Sequence, residues 1–350
     1  MTTGPRTAKP PLRGRTEAGF TLIEIMAALA ILAIAMTAVF ATFTSQQQTF
    51  TTQSRVAEMQ QNLRIATDAL VRDIRLAGYG LPPTTGTAAD NIALPGTMNP
   101  HGITTVRGLY PVDNTAGSDQ VYIMYVYDMD ANQPPAELTA DMTAVTSIAV
   151  DNTLGFVPGG GELVIVTDRV TADLFETTAG GTATTMNFAG GGSDYNNASL
   201  HTKLYAVGTQ PGFPPTVAAK ARFVRYYIED VAWADGSVHP TLMVDRLNGD
   251  APQPVADDIE DMQLSYGLDT NGDGAVDTVR CAWGGVAAFS AGQIPQIRQV
   301  VLHLVARTRM PEKGWQDSRP QAGNRPGAAT ADGYRRRVIE VNVDVRNSGT

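Results

Sequence analysis

Three patterns of apolar and polar positions follow one another along the chain: a continuous hydrophobic run, a helical periodicity, and a long tail of alternating, broken segments. From Phe20 to Phe43 the single charged residue is Glu24. At 1.5 Å rise per residue that run reaches about 36 Å, enough to cross the ~30 Å hydrocarbon core of a bilayer. Beyond it, Val56, Met59, Leu63, Ala66, Leu70, Ile74 and Ala77 recur at three- and four-residue steps, the spacing of one face of an amphipathic helix. Arg55, Glu58, Arg64, Asp68, Arg72 and Asp73 take the other positions. No proline falls between Phe20 and Leu81, and Gly78-Tyr79-Gly80 followed by Pro82-Pro83 supplies a stop. The pattern predicts one helix of about 58 residues, about 87 Å long. Thr and Gln between Thr44 and Thr52 leave room for a break there.

Residues 81–118 are rich in Gly, Pro, Thr and Asn and read as a surface excursion. Val121, Ile123, Tyr125 and Tyr127 then alternate with Tyr122, Met124 and Val126, predicting a strand apolar on both faces. Further strands are predicted at Val145–Val150, Glu162–Thr167, Lys203–Val207, Arg222–Glu229, Thr241–Asp245, Met262–Tyr266, Gln299–Thr308 and Arg337–Arg346. Glycine clusters at 159–161, 180–181 and 190–192 divide the middle into short pieces. The expected fold class is α+β: a long N-terminal helix with an antiparallel β-rich body. The divisions read as 1–19, a leader; 20–43, a transmembrane segment; 44–80, the amphipathic half of the same helix; 81–221, a loop-rich β region; and 222–350, a C-terminal β region.

Charge changes this picture at the start of the chain. The formal net charge is −9, yet Arg6, Lys9, Arg13 and Arg15 crowd the leader against Glu17 alone. Basic residues before an apolar span orient it with the leader in the cytoplasm and the body across the membrane from it. An acidic exported body argues against nucleic acid as a partner. A secretory signal is cut after its apolar region, whereas here the expected cut, behind Gly19, precedes it and leaves the segment on the mature chain. One cysteine, Cys281, allows no intramolecular disulfide. Glu24 costs about 2.5–3.5 kcal/mol at a membrane helix centre and calls for a partner, which nothing nearby in the sequence supplies.

Gly19-Phe20-Thr21-Leu22-Ile23-Glu24 behind a basic leader resembles the prepilin processing site of the type IV pilin superfamily. The resemblance implies a lollipop plan, cleavage between Gly19 and Phe20 by a prepilin peptidase, and N-methylation of Phe20. Glu24 is then expected to pair with the Phe20 amine of a neighbouring subunit. Unlike many major pilins, the hydrophobic half lacks a helix-bending proline. Phe223–Ile228, Pro240–Arg246, Ile259–Gly267 with the Asp-rich loop after it, and Tyr334–Arg337 with the strand to Asn347 are similar to PilW-like minor pilins; residues 81–221 are not. The resemblance implies a non-enzymatic minor pilin that primes assembly at or near the filament tip, with roles in twitching or adhesion. Its implied partners are other pilins, the peptidase, the assembly platform and, before assembly, membrane lipid. A J-type minor pseudopilin of type II secretion is an alternative, as is a membrane-anchored periplasmic binding protein or enzyme with a pilin-like leader.

One cluster has ligand spacing. Asp269, Asn271, Asp273 and Asp277, with the Ala275 carbonyl and Gly272 at the sharp turn, match the first nine positions of an EF-hand calcium loop. Position twelve is Arg280 where a bidentate Glu is needed, so Asp257, Asp258, Glu260 or Asp261 would have to complete it. The competing reading is a turn rich in Asp, Asn and Gly. His101, His201, His239 and His303 are too scattered for a metal site, and no phosphate loop or nucleophile elbow is present. Arg335–Arg337 read as a solvated strand edge.

Overall fold

The computed structural model describes residues 19–81, 108–114, 116–127, 135–156, 159–169, 171–189, 204–208, 215–248, 250–281 and 296–345. The leader as far as residue 18, most of the excursion, His101, His201, the glycines at 190–192, Arg346 and Asn347 lie outside them. Helix α1 spans Leu22–Leu76. It is continuous through 44–52, as the single-helix pattern predicts, although the composition there left room for a break. There Thr44 and Thr49 turn their hydroxyls back to the Phe40 and Ser45 carbonyls, which satisfies these side chains inside the helix. The chain divides into two compact units, one ending at Ser54 and the other beginning at Arg55.

Within the second unit the predicted stripe is the buried one. Met59, Leu63, Ala66, Leu70, Ile74 and Ala77 are buried and Val56 is partly so. A fully buried Leu or Ile side chain contributes about 1.5–3 kcal/mol. The helix ends where expected, with Gly78 and Gly80 both at φ 77°. The Gly78 N–H donates to the Met124 carbonyl at 2.9 Å, and the Val126 N–H to the Tyr79 carbonyl at 2.8 Å. A Cβ on Gly80 would stand 2.7 Å from that of Val126, so this stitch needs glycine.

Asp73 departs from the pattern, for it is buried although it was placed among the polar positions. It accepts hydrogen bonds from the Tyr226 hydroxyl at 2.7 Å and the Tyr125 hydroxyl at 3.1 Å. Burial, together with the Asp73 charge, pushes both phenols above their usual range. A buried carboxylate so provided for fixes the rotation of the helix on the sheet.

The strands are β1 Leu109–Val112, β2 Gln120–Val126, β3 Ala136–Glu137, β4 Ser147–Ala149, β5 Gly160–Thr167, β6 Ala172–Thr182, β7 Thr185–Phe188, β8 Val217–Ala232, β9 Val238–Asp245, β10 Gln253–Asp257, β11 Ile259–Leu268, β12 Thr278–Cys281, β13 Ile297–Arg307 and β14 Arg336–Asp344. All pairings are antiparallel. A ten-stranded sheet runs β1-β2-β8-β5-β6-β7-β4, with β3, β9 and β10 joined through β8; a four-stranded sheet runs β12-β11-β13-β14. The buried side chains of β2, β8, β11 and β13 share one core with the helix stripe. A second core gathers around Phe175 and Phe188, whose rings stack at 4.4 Å.

The expected strand at 203–207 does not form: residues 204–208 have no regular structure, and Lys203 is outside the described set. Tyr205 there is a buried plug whose hydroxyl donates to Asp173 at 2.9 Å, so its apolar character served packing instead of a ladder. Of the three arginines at the start of β14, only Arg337 is exposed as a solvated edge would be. Arg336 is buried, and its guanidinium lies 2.6 Å from Glu260 and 2.6 Å from Asp332. Arg335 pairs with Glu312 and lies over the Trp315 ring.

Candidate functional site

The first candidate is the N-terminal turn. The Glu24 N–H donates to Thr21 Oγ1 at 3.3 Å, while the Thr21 N–H and hydroxyl each reach Glu24 Oε2 at 3.2 Å. This is a capping box, which satisfies otherwise orphaned donors of the first turn. It corrects the expectation that nothing near Glu24 can pair with it. Among the described residues Oε1 accepts nothing, so the carboxylate keeps room for a second donor. Around it the apolar surface is uncovered: Phe20 is 83% exposed, and Leu22, Ile31, Ile34, Phe40 and Phe43 are exposed as well. The helix is long and apolar enough to cross a membrane by length and composition.

The second candidate is the loop between β11 and β12. Asp269 is buried and accepts the Gly272 N–H at 2.6 Å and the Gly274 N–H at 3.0 Å; Arg298 lies 3.0 Å from the same carboxylate. Burial acts to raise this carboxyl, but the two backbone donors and the guanidinium outweigh it and hold it below the usual range. Asp277 accepts the Thr270 hydroxyl and N–H at 2.8 and 2.7 Å and the Asn271 N–H at 3.0 Å, which lowers its carboxyl too. Asn271 Oδ1 accepts from Asp273, and Asp273 Oδ1 from the Ala275 N–H. The carboxylates offered as an outside ligand are engaged elsewhere: Asp257 and Asp258 with Arg309, Glu260 with Arg336, and Asp261 with Arg319 and Arg325. Among the described residues no group of three or more His, Cys, Asp or Glu could hold a metal ion. Arg298, the residue that balances Asp269, has no signal in the sequence.

A third cluster was invisible to spacing. His239 is buried, with Nδ1 2.8 Å from Asp258 Oδ1 and Nε2 2.8 Å from Ser237 Oγ. These are the distances of a Ser-His-Asp triad. The hydroxyl is differently engaged, however, because Ser237 Oγ lies 2.5 Å from Asp235 Oδ1 and donates its proton there. The Ser237 N–H also goes to Asp235, and the Gly236 N–H to the Trp233 carbonyl, leaving no donor pair for an oxyanion in that turn. The cluster is a strut: Arg309 contacts Asp258, lies over the Trp233 ring at 4.5 Å, and reaches Glu58 of the helix at 2.9 Å. His239 is thus a buried structural histidine.

Residues 225–347 match the family model of the Type IV Pilus-assembly protein W, and residues 14–40 match that of the Prokaryotic N-terminal methylation motif. The two matches fall on the stretches that carried the sequence resemblance, with 81–221 in neither. No curated protein matches the chain. Among solved structures, the Type IV-like pilin TTHA1219 from Thermus thermophilus is similar over 83% of this chain and 97% of that chain, at 12% identity and a TM-score of 0.36.

Proposed function

We propose that the chain is a minor pilin of a type IV pilus, made as a prepilin, cut between Gly19 and Phe20 by a prepilin peptidase and N-methylated on Phe20. The observation that carries this reading is the coincidence, on one helix end, of the methylation-motif match with an uncovered apolar surface and a capping carboxylate that still has a vacant oxygen. Contiguous apolar surface of that extent needs lipid or protein to cover it. Lipid of the inner membrane covers it before assembly, and neighbouring pilins cover it in the filament. Glu24 Oε1 takes the Phe20 amine of the adjacent subunit, and the body works with other minor pilins at or near the tip to prime assembly on the inner-membrane platform. No step of this role requires catalysis by the chain.

The test is the intact mass of the mature protein. The expected chain begins at Phe20 and carries one added methyl group; retention of the leader, or a cut beyond Phe43, overturns the processing claim. Deletion of the gene separates pilus from secretion, since loss of twitching with exoprotein secretion intact is the expected result. The opposite pattern assigns the chain to type II secretion as a pseudopilin.

As folded, the Asp269–Asp277 loop gathers no metal-holding group; we propose only that calcium can rearrange its oxygens, those of Asp269, Asn271, Asp273, the Ala275 carbonyl and Asp277, into a weak site. Without a bidentate Glu, and with Arg298 already on Asp269, affinity belongs in the weak range of extracellular modules, about 0.1–1 mM. Millimolar calcium is expected to raise the melting temperature of the unmutated chain but not of Asp273→Ala. An unmutated chain that melts identically in calcium and in chelator ends the proposal.

A further inference from the structure

The sheet is interrupted twice at one place. The β5–β6 pairing shifts register between Gly160 and Leu163, and the β6–β7 pairing between Thr178 and Thr182. Such bulges re-aim side chains and gather beside sites. Glycine is needed at both: Gly160 has φ 80°, and a Cβ there would lie 2.6 Å from the Thr178 backbone. A Cβ on Gly181 would lie 2.8 Å from the Thr185 carbonyl oxygen.

Beside the second bulge is a cavity of about 280 Å³, at the small end of ligand sites. Thr153, Phe156, Thr178, Thr185 and Asn187 line it, and among the described residues no charged side chain does. The Thr153 hydroxyl donates to the Thr182 carbonyl, which leaves its oxygen free to accept. The hydroxyls of Thr178 and Thr185 and the Asn187 carboxamide make no side-chain hydrogen bond among the described residues, and all three are half-buried. Lys220, 5.8 Å from the Phe156 ring, is neutralised by Glu162 at 2.8 Å.

Two hydroxyls and a carboxamide offer donors and acceptors in both senses, and Phe156 adds an apolar plate. An anion would call for arginine or lysine in the wall, and a cation for carboxylates. A wholly apolar ligand would leave three polar side chains unpaired, at about 1–3 kcal/mol each. A sugar ring has the complementary surface, with hydroxyls on its rim and C–H groups on its face. We propose that this cavity binds a neutral sugar ring. The site lies outside both family matches and does not depend on the chain being a pilin.

The test is ligand-observed NMR on the full chain in phospholipid nanodiscs, since glycoside detergents would compete. The probes are glucose, galactose, mannose, N-acetylglucosamine and lactose, with glucuronate and glucosamine as charged counterparts. At least one neutral sugar is expected to bind. Asn187→Ala is expected to weaken it about tenfold or more, and Thr185→Val about three- to tenfold, the loss of one or two hydrogen bonds. Should Asn187→Ala lower the melting temperature, the shape-conserving Thr178→Val and Thr185→Val supply the reading instead. An array of neutral-ended glycans separates recognition of a free sugar from recognition of a glycan terminus, and binding in either arm supports the proposal. Failure of every neutral sugar in both arms overturns it, as do tighter binding of glucuronate than of glucose and undiminished affinity in well-folded variants.

Discussion

Glu24→Leu is expected to leave the chain in the membrane and remove it from the filament. Insertion becomes easier once the carboxylate is gone, by less than the about 2.5–3.5 kcal/mol that a charge costs at a helix centre, because Glu24 lies in the first turn. The helix start survives in part, because Thr21 still caps the Glu24 backbone N–H and only the return bonds to Oε2 disappear. On the proposed role, what vanishes is the counter-charge for a neighbour's amine, and an ion stripped of its partner in a low-dielectric contact costs several kcal/mol. Glu24→Gln separates the two jobs. Its side-chain oxygen still accepts from Thr21, so the cap persists, but the charge does not. Fractions of sheared filaments and membranes, compared by immunoblot, are expected to show both variants confined to the membrane. Incorporation of Glu24→Gln at the unmutated level would mean that Glu24 serves the cap alone, and the intersubunit contact would have to be abandoned.

The capping box also shows where sequence reading stops. Thr at the cap and Glu three residues on is a legible pattern, but the same carboxylate is costly in lipid, and that cost points to a remote partner as strongly as to a cap. The helix stripe and its glycine stop were legible because each depends on neighbours three or four residues away. Asp73 was not, since its acceptor role rests on Tyr125 and Tyr226, which only the folded sheet brings to it. Strands rich in long apolar side chains, such as β2, β11 and β13, announced themselves. β6 and β10 did not: β6 carries Asp173, Glu176 and two glycines at a bulge, and β10 begins with Gln253 and Pro254. The Asp-rich loop was legible as a loop, whereas the guanidinium of Arg298 that compensates Asp269 comes from beyond the hairpin. The buried ion networks of the last third were hidden for the same reason. Arg335 and Arg336 look solvated until their acidic partners are brought to them, Glu312 and Asp332 from the segment between β13 and β14 and Glu260 from β11.

One of those networks supports the second strong expectation, that Asp261→Ala destabilises the body by about 3–5 kcal/mol, the range for breaking a buried pair from one side. The Asp261 side chain is 0% exposed. It receives Arg319 and Arg325, each at 2.9 Å, and the Ser118 hydroxyl and Gln263 amide, each at 3.0 Å. One carboxylate on β11 therefore holds two guanidiniums from the segment between β13 and β14 and the turn before β2. Removing it leaves both cations largely buried without a counter-charge, against a total stability of only about 5–15 kcal/mol for a typical domain. Asp332→Ala is the control, because Asp332 is 43% exposed and its partner Arg336 keeps Glu260; a loss of about 1 kcal/mol or less is expected there. Denaturant melts of the full chain supply the energies. Limited proteolysis supplies the location, since cleavage near residues 319–325 is expected to accelerate first in Asp261→Ala, as the anchor of that segment is gone. A loss no greater than that of Asp332→Ala would show that water screens the network and that apolar packing alone holds the segment down. Replacing Asp261, Arg319 and Arg325 together by apolar residues is expected to recover much of the lost stability, because the cost lies in orphaned charge more than in the missing attraction.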